Sequence, residues 1–415
     1  MTDTADTDGL APYTTDAAPT PDADGGLPAF DDAAADAAVV GLGEASHGAR
    51  TCFRAKHRLL RRLVTDHGCR VFALEASGPA VRALDAAASG ERDPADALAE
   101  LQIWPWKTAA VRDLLAWLRS YNREHPEDRV RVRGVDCQYT TGAVASIRRF
   151  CETHLGGVPT GLADDLAVGD DGGSPPSRDD DPGATAAAAA RVAETVRGLL
   201  ADTEAPSTAV DRVRADCRTL ERAAAFRRPF ARADDGLPDG VSEVRDRGMA
   251  AEVSRLAGDA DGPVAFWAHD SHLDRRHRRP TTDDTDRSPS AGSVLVEEFG
   301  DDYVVVRFSL GGGAVTAVTG DGDDRRLDAV DLDGPVPGTA EAALARAVDG
   351  PALVDLRAAA AAGVGWATTE RDHFAVGATF DGDPTERLTR LVPARAADLW
   401  WHLPETAATE RLDAE

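Results

Sequence analysis

The segment AVVGLGEASHG, residues 38–48, contains the strongest indication of the fold. Its first residues form a short apolar run, which is typical of a strand buried on both faces of a parallel sheet. The run ends at Gly43, and the polar residues Glu44, Ser46 and His47 follow directly. We therefore expect a buried strand whose carboxyl end delivers these side chains to a loop.

Three further segments show the same pattern, an apolar strand that ends in a polar residue. They are RVFALEA at 70–76, with Glu75, RVRVRGVD at 129–136, with Asp136, and GPVAFWAH at 262–269, with His269. Segments with apolar residues at helical spacing lie between the strands. This alternation indicates a three-layer α/β/α fold around a mostly parallel sheet, in which ligands bind at the carboxyl ends of the strands. We therefore expect the four polar strand ends to share one edge.

The charge balance excludes several classes of protein. The chain has 415 residues, with 72 acidic against 46 basic side chains and a formal net charge of −26. A surface of this sign repels nucleic acids and anionic membranes, so neither is an expected partner. Arginine supplies all the basic side chains except Lys56 and Lys107. This composition indicates a halophilic protein, because high salt screens the repulsion among its carboxylates.

Two further features predict a cytoplasmic protein. The five cysteines form an odd set without C-x-x-C spacing, which argues against disulfide bonds and against a thiolate metal site. No apolar segment approaches the ~20 residues that a membrane-spanning helix needs. The first residues, MTDTADTDGL, are acidic where a signal peptide would be basic. We therefore expect a reducing environment inside the cell.

Composition along the chain divides it into five expected segments. They are an acidic disordered arm at 1–36, the first part of the α/β core at 37–155, a disordered acidic insertion at 156–183, a helical block at 184–260 that covers the active-site cleft, and the second part of the core at 261–415. The arm and the insertion are rich in Asp, Pro and either Thr or Gly. Because they lack periodic apolar residues, we expect them to be disordered.

The segment GEASHG at 43–48 contains the first candidate for catalysis. Glycines flank His47 and its neighbours, and they permit the close backbone approach that an imidazole near a ligand needs. A carboxylate beside an imidazole fixes its tautomer, so Glu44 or Glu75 could orient His47 as a general base. The alternative is structural, since both glutamates could cap the helices that follow them. Arg50, which comes soon after, is a candidate for substrate binding.

A second cluster of candidates lies in WAHDSHL at 267–273. His269 and His272 follow a buried strand, and the basic residues of 275–279 come next. On an acidic protein, this positive spot can stabilise an oxyanion or bind an anionic ligand. The alternative is that His269 is a hydrogen-bonded wall residue and that the arginines offset the acidic loop at 283–286.

Other kinds of hydrolytic site are disfavoured. There is no G-x-S-x-G motif for the serine of an α/β-hydrolase. Ser46 adjoins His47, but neighbours in a chain rarely direct both side chains to one point, and Cys137 is expected to be a small packed residue. The remaining interpretation is a histidine that activates water, supported by carboxylates, with Arg and His side chains that stabilise the oxyanion.

Several ordered motifs resemble those of the erythromycin esterase family. They are GEASHG with the helix TCFRAKHRLL, VFALEAS, WPWKTAAVRDLLAWLRSYN, VRGVDCQ, VRDRGMAAEV, WAHDSHL, EEFGDDYVVVRFSLGGG and LPETAATERL. Together they cover about residues 38–155 and 241–411. The resemblance implies an EreA/ChaN-like three-layer α/β/α fold.

The resemblance also implies an activity, the opening of a macrolide lactone by a water molecule with His47 as general base. It implies further catalytic residues in Glu44, Glu75, Arg245, His269 and His272, and substrate-pocket residues in Trp106 and Asp136. The insertion at 156–183 departs from the family pattern. A reactive ester or lactone of another natural product is therefore as plausible a small-molecule substrate.

Three hypotheses follow. The favoured one is a carboxylic-ester hydrolase without a cofactor. A second adds a divalent metal ion, because E-x-x-H at 44–47, Glu75 and H-x-x-H at 269–272 offer the mixed ligands that Zn²⁺ or Mn²⁺ accepts. The third is a non-enzymatic protein that binds haem, iron or an apolar ligand through the histidines, with Trp104 and Trp267 among the walls. The sequence does not separate the first two, because they use the same residues.

Overall fold

The helices and strands are taken from a computed structural model, which describes residues 7, 9–173, 181–232, 240–276, 288–320, 324–380 and 382–412. In these residues the strands are β1 Thr14–Asp16, β2 Val39–Leu42, β3 Val71–Ser77, β4 Arg131–Asp136, β5 Val264–Trp267, β6 Tyr303–Leu310, β7 Gly313–Thr319, β8 Arg326–Leu332, β9 Ala352–Asp355, β10 Arg371–Phe374, β11 Leu388–Leu391 and β12 Leu399–Leu403. The helices are α1 Pro28–Ala34, α2 Arg50–Asp66, α3 Gly78–Ala88, α4 Pro94–Ala99, α5 Ala109–Glu124, α6 Thr141–His154, α7 Thr160–Val168, α8 Pro182–Leu200, α9 Ser207–Arg227, α10 Val241–Gly258, α11 Asp270–Leu273, α12 Ala291–Phe299, α13 Ala340–Ala347, α14 Leu356–Ala361, α15 Gly365–Thr368 and α16 Pro393–Ala396.

The main sheet has eight strands in the order β1-β9-β12-β6-β2-β5-β3-β4. The six strands from β12 to β4 run parallel, whereas β9 is antiparallel to both β12 and β1. This confirms the predicted mostly parallel sheet. The strand β2 lies between β5 and β6, so the segment 38–48 occupies the middle of the sheet.

Helices and loops cover both faces of the sheet. Along β2, Val40 and Leu42 belong to one apolar cluster and Val39 to another on the opposite face. The same alternation occurs in β3 and β6. Burial of both faces explains why these strands are almost continuously apolar and confirms the three-layer architecture.

The N-terminal segment differs from the disordered arm expected at 1–36. The strand β1 pairs with β9 at the edge of the sheet, and Leu27 and Phe30 are buried in the core. Arg58 of α2 donates hydrogen bonds to two backbone carbonyls of this segment, at 2.7 and 2.8 Å. The apolar anchors are too widely spaced to produce a periodic pattern, which is why the sequence indicated disorder. Residues 1–6 and 8 of the expected arm lie outside the described residues.

The acidic insertion expected at 156–183 also contains ordered structure. Within it, α7 buries Leu162 and Leu166, which are four residues apart, in an apolar cluster with α6, α8 and α9. Asp171 accepts a hydrogen bond from the backbone N–H of Thr140 at 2.7 Å and forms an ion pair with Arg227. At least one carboxylate of the segment is therefore structural. The part at 174–180 lies outside the described residues.

The helical block expected at 184–260 is divided in the structure. The helices α8 and α9 pack with α6 and α7 around an apolar cluster of their own. In contrast, α10 buries Met249 and Val253 against the central sheet. This helix also carries Arg245, one of the six candidate catalytic residues.

Two observations concern the expected cellular environment. All five cysteines are buried free thiols. No helix in the described part of the chain is long and apolar enough to cross a lipid bilayer.

Candidate active site

The carboxyl ends of β2, β3, β4 and β5 meet at one edge of the sheet, as the sequence predicts. Hydrogen bonds and ring contacts connect all six predicted catalytic residues there, although they come from distant parts of the chain. These residues are Glu44, His47, Glu75, Arg245, His269 and His272. The assembly contains two linked groups, one around each glutamate.

The first group centres on Glu44, whose side chain is fully buried. One carboxylate oxygen accepts a hydrogen bond from His47 Nδ1 at 2.6 Å. The other accepts from the indole N–H of Trp267 at 3.0 Å and forms a buried ion pair with Lys56. Since a carboxylate can only accept, Nδ1 of His47 carries a proton and Nε2 is left to take one.

Charge holds Glu44 in its ionised form. Burial alone would raise the pKa of Glu44, but the ammonium group of Lys56 and the hydrogen bond and charge of His47 lower it, and the net pKa lies below its ordinary value. A carboxylate ionised at neutral pH favours an imidazolium beside it. The group can therefore orient His47 and would stabilise a positive charge on its ring.

The second group centres on Glu75, which is also buried. Arg245 Nη2 donates to Glu75 at 2.6 Å and to Asp136 at 2.8 Å. The other oxygen of Glu75 accepts from the backbone N–H of His269 at 2.9 Å. Burial would raise the pKa of Glu75, but the positive charges of His272 and Arg245 lower it well below its ordinary value.

His272 lies between two carboxylates. Its Nδ1 is 2.6 Å from Asp246, and its Nε2 is 3.2 Å from Glu75 and 3.1 Å from Arg245 Nη1. Asp246 adjoins Arg245 on α10, so this one helix supplies both the guanidinium group and the carboxylate that holds His272. The result is a continuous network of alternating charge from Asp136 to Asp246.

The ring of His269 is held neutral. Burial, and then the neighbouring charge of His47, lower the pKa of His269 well below its ordinary value. Its Nδ1 accepts from the backbone N–H of Ser271 at 3.1 Å, so the proton of the neutral ring is on Nε2. That buried nitrogen has no hydrogen-bond partner among the described residues. The ring centroid lies 5.1 Å from that of His47.

The predicted substrate-binding residues have different positions. Trp106 is a buried wall of the site, with its indole N–H donating to the carbonyl of Glu75 at 3.2 Å and its ring 6.4 Å from that of His47. Asp136 binds Arg245, as described above. Arg50 is 43% exposed at its side chain and lies 3.9 Å from the exposed Glu410, and the described residues show no contact between it and the catalytic cluster.

Comparison with known proteins identifies the family. The sequence matches the family described as erythromycin esterase over residues 64–406. The chain belongs to the erythromycin esterase family. This erythromycin esterase family member is also similar in fold to solved structures at low identity. One is a Bacillus cereus protein, with 19% identity, a TM-score of 0.79 and 98% of each chain covered.

Two further solved structures are also similar in fold. One is a succinoglycan biosynthesis protein, with 17% identity, a TM-score of 0.77, and 99% of this chain and 98% of that chain covered. The other is a mutant of the erythromycin esterase EreC in its open conformation, with 17% identity, a TM-score of 0.71, and 96% and 98% covered. At these identities the neighbours support the fold of this family member alone.

Two glycines of the GEASHG loop allow close packing around the site. A Cβ atom on Gly43 would lie 1.9 Å from a carboxylate oxygen of Asp270, and one on Gly48 would lie 1.8 Å from the carbonyl oxygen of Thr316. The second contact is with the backbone of β7, which cannot move like a side chain. The loop is therefore held between α11 on one side and the β7–β8 hairpin on the other.

We predict that Gly48→Ala destabilises this family member by at least about 2 kcal/mol, because overpacking against backbone forces the hairpin to shift. Gly198→Ala is the matched control, since Gly198 lies in α8 with no atom within 4 Å of the added methyl group. That change should be neutral or stabilising by up to about 1 kcal/mol. Urea unfolding of both variants measures the difference, and equal stabilities would contradict the close contact.

Two expectations from the sequence concern residues next to the site. Ser46 is buried in the turn, where its hydroxyl accepts from the N–H of Gly48 at 3.1 Å and faces the carbonyl of Gly377, rather than His47. Burial raises the pKa of Cys137 to about 12, as expected of a packed thiol. These contacts favour structural roles for both residues.

The positive spot expected at 275–279 is only partly described. Arg275 forms an ion pair with Asp398, and Arg276 forms a bidentate pair with Asp274 at 2.7 and 2.9 Å. Both charges are thus matched by carboxylates. Residues 277–279 and the acidic loop at 283–286 lie outside the described residues.

The donor atoms of the site do not fit a divalent ion well. Within the described ranges, no three His, Cys, Asp or Glu side chains form a group that could hold a metal. The physical reason is that cations already occupy the carboxylates, Lys56 at Glu44 and Arg245 at Glu75. A metal ion would have to displace one of these buried cations to gain an oxygen ligand.

Lys56 and Asp246 belong to the site but were not predicted. By its spacing, Lys56 falls on the apolar face of α2. Its residue type could have indicated a special role, because it is one of only two lysines in a chain rich in arginine. Asp246 had no distinguishing feature beyond its position beside Arg245. The partner of Lys56 is Glu44 and that of Asp246 is His272, and each partner lies on another element. Sequence spacing alone therefore does not reveal these contacts.

Proposed function

We propose that this protein hydrolyses a carboxylic ester or lactone, with His47 as the general base that activates water. The observation that carries the proposal is the pairing of two different imidazoles. His47 presents Nε2 as a proton acceptor, and His269 presents a proton on Nε2, with the two rings 5.1 Å apart. An acceptor for water and a donor for a carbonyl oxygen are what ester hydrolysis needs.

The proposed reaction has two steps. In the first, the oxygen of water attacks the carbonyl carbon, its proton passes to His47 Nε2, and the carbonyl oxygen becomes an oxyanion that accepts a hydrogen bond from His269 Nε2–H. Glu44 stabilises the resulting imidazolium. In the second, the bond between carbon and the leaving oxygen breaks, and His47 returns the proton to that oxygen. The products are a carboxylic acid and an alcohol, or a hydroxy acid from a lactone.

Glu75 and Arg245 would support the oxyanion side of the reaction. Glu75 fixes the backbone of His269, and Arg245 is 15% exposed at its side chain whereas Glu75 is 4% exposed. The side chain of Arg245 is thus more exposed than that of the carboxylate it binds. A positive group at that position favours negative charge developing on a substrate oxygen.

The proposed substrate is a macrolide-type lactone or another natural-product ester. The family name supports an ester or lactone. The low identity to EreC and the similarity to a succinoglycan biosynthesis protein leave the choice within this class to experiment. A panel of lactones and esters incubated in molar salt tests the proposal, with product masses measured. Products equal to substrate plus one water support it, and a panel without turnover contradicts it.

Intact-protein mass spectrometry separates direct attack by water from a covalent route. Direct attack forms no acyl-enzyme, so the mass of the protein should stay unchanged during turnover of a slow ester. A transient increase equal to the acyl group would contradict the role proposed for water and would point to a protein nucleophile.

We also propose that hydrolysis needs no metal ion, because Lys56 and Arg245 already neutralise the two catalytic glutamates. Exhaustive dialysis against EDTA should leave kcat/KM within about two-fold of the untreated value, since no Lewis acid is removed. Re-addition of Zn²⁺ or Mn²⁺ is the matched control. A large loss on dialysis that either ion restores would favour the metal-dependent alternative.

A further inference from the structure

A cavity lies between α3, α6 and α9, and none of the six candidate catalytic residues lines it. Its volume is about 640 Å³, which falls within the range of small-molecule sites. We refer to it as the arginine cleft, because its lining includes Arg82, Arg92, Arg149 and Arg212. The only carboxylate of the described lining is Glu100. None of these residues belongs to the proposed mechanism.

The charge of the arginine cleft is opposite to that of the molecule. Arg92 forms an ion pair with Glu100, and Arg82 pairs with Asp216, which lies outside the cleft lining. Arg149 and Arg212 have no carboxylate within ion-pair distance among the described residues. The charge of Arg212 acts on the buried carboxyl of Asp216 and partly opposes the rise that burial causes in its pKa, so Arg212 is partly matched, whereas Arg149 is not. The cleft therefore carries excess positive charge on a protein whose formal net charge is −26.

Helix geometry adds to this positive potential. The first turns of two long helices line the cleft, with Pro79 and Ala80 from α3 and Thr208 and Ala209 from α9. The amino end of a helix carries partial positive charge, because its first N–H groups lack intrahelical partners. Arginines and helix ends thus act in the same direction.

The walls of the arginine cleft are partly apolar, and polar side chains such as Gln102, Ser146 and Thr153 line it as well. Ala83 and Ala86 of α3, Phe150 of α6 and Val213 of α9 line it beside the charged groups. Phe150 is only 5% exposed and its ring lies 5.1 Å from that of His154. Such walls favour a ligand with an apolar body, whereas a fully hydrated inorganic ion would gain nothing from them.

We propose that the arginine cleft binds a small organic anion with an apolar body and a sulfonate, phosphate or carboxylate head. Guanidinium groups bind such heads through paired N–H donors, and Arg149 and Arg212 are the two that are available. The site is independent of the ester-hydrolysing cluster. Binding there requires no covalent step.

Calorimetric titration of the full chain with naphthalene-1-sulfonate tests the proposal, with 1-naphthalenemethanol as the uncharged analogue. The sulfonate should bind and the alcohol should bind at least about ten-fold more weakly, which corresponds to 1.4 kcal/mol. The Arg149→Ser, Arg212→Ser double variant should weaken sulfonate binding by at least the same factor. Raising the salt concentration to 1 M should also weaken it, because the Debye length falls to about 3 Å.

Two controls locate the binding. Arg131→Ser removes an exposed arginine of β4 outside the cleft, and His47→Ala alters the catalytic cluster, so both variants should bind the sulfonate as the unmodified protein does. Equal affinity for the uncharged alcohol would overturn the proposal, as would an unchanged Kd in the double variant. Inorganic phosphate that competes as strongly as the sulfonate would overturn the role of the apolar walls.

Discussion

The variant His47→Ala should lower kcat/KM for a good ester by about 10³-fold, the range expected when a general base is removed. The structure also indicates that this variant folds. Without His47, Glu44 keeps its ion pair with Lys56 and its hydrogen bond from Trp267, so no buried charge is left without a partner. Loss of activity with an unchanged melting temperature is therefore the expected result.

The matched control for this variant is His125→Ala. His125 is an exposed histidine at the end of α5, stacked on Tyr121 with 4.2 Å between ring centroids and remote from the sheet edge that carries Glu44. Its removal should change kcat/KM by less than about two-fold, as is usual for a surface substitution. If the two variants have equal activity, His47 is not the base, and the mechanism proposed above is wrong.

The sequence predicts the centre of this fold well because the central strands are buried on both faces. Such strands appear in the sequence as short, mostly apolar runs. β2 and β5 have no polar residue, whereas β3 ends in polar residues and Arg307 and Ser309 interrupt β6. The polar residue at the end of each run then marks the functional edge. Local sequence is sufficient here, because both the strand and its candidate site residue lie in the same ten residues.

The elements that the sequence missed are those with one exposed face. In β8 only Leu332 is buried, and its partner β7 ends in half-exposed residues, so neither has a continuous apolar run. The segment at 9–36 was missed for a similar reason, since it is held by a few separated anchors such as Phe30. These elements nevertheless clamp the GEASHG loop and complete the edge of the sheet.

The residues missed at the site are those defined only by a distant partner. Glu44 and His47 are three residues apart, and their contact could be anticipated from the sequence. The contact of Lys56 with Glu44 depends on the packing of α2 against β2 and β5. The contact of Asp246 with His272 depends on the position of α10 over the end of β5. Tertiary packing, rather than local spacing, thus decides which charges balance the two buried glutamates.

The second large effect is expected for Lys56→Met, which retains the apolar stem but removes the ammonium group. Lys56 and Glu44 are both fully buried, so the variant leaves a carboxylate without its cation. Breaking a buried ion pair in this way costs about 3–5 kcal/mol of unfolding free energy. The net pKa of Glu44 should rise as well, because burial would then be less opposed. Glu44 would be protonated more often, and activity should fall because the ionised carboxylate orients His47.

A double variant and a surface pair separate these two effects. Glu44→Gln combined with Lys56→Met removes both charges, and it should recover much of the stability but not the activity, since a neutral amide stabilises an imidazolium poorly. Arg197→Met removes one partner of the half-exposed pair with Glu221, and it should cost no more than about 1 kcal/mol. Urea unfolding of the three variants, with the unmodified protein as reference, gives the comparison.

The pH dependence of stability provides an independent check of the pair. In the folded protein the pKa of Glu44 lies below its ordinary value. A group of this kind contributes stability above its unfolded pKa, and the contribution is lost as the pH falls through the lowered folded pKa. In Lys56→Met this contribution should be absent or reversed. As the pH falls, Glu44 should therefore cost the variant less stability than it costs the unmodified protein. The difference in unfolding free energy between the two proteins should be largest at neutral pH.

Because the pair is buried, the loss of stability in Lys56→Met should persist in molar salt, whereas the small effect of Arg197→Met should disappear there. A loss in Lys56→Met that salt abolishes would mean that water reaches the pair, and the lowered pKa of Glu44 would then need another cause.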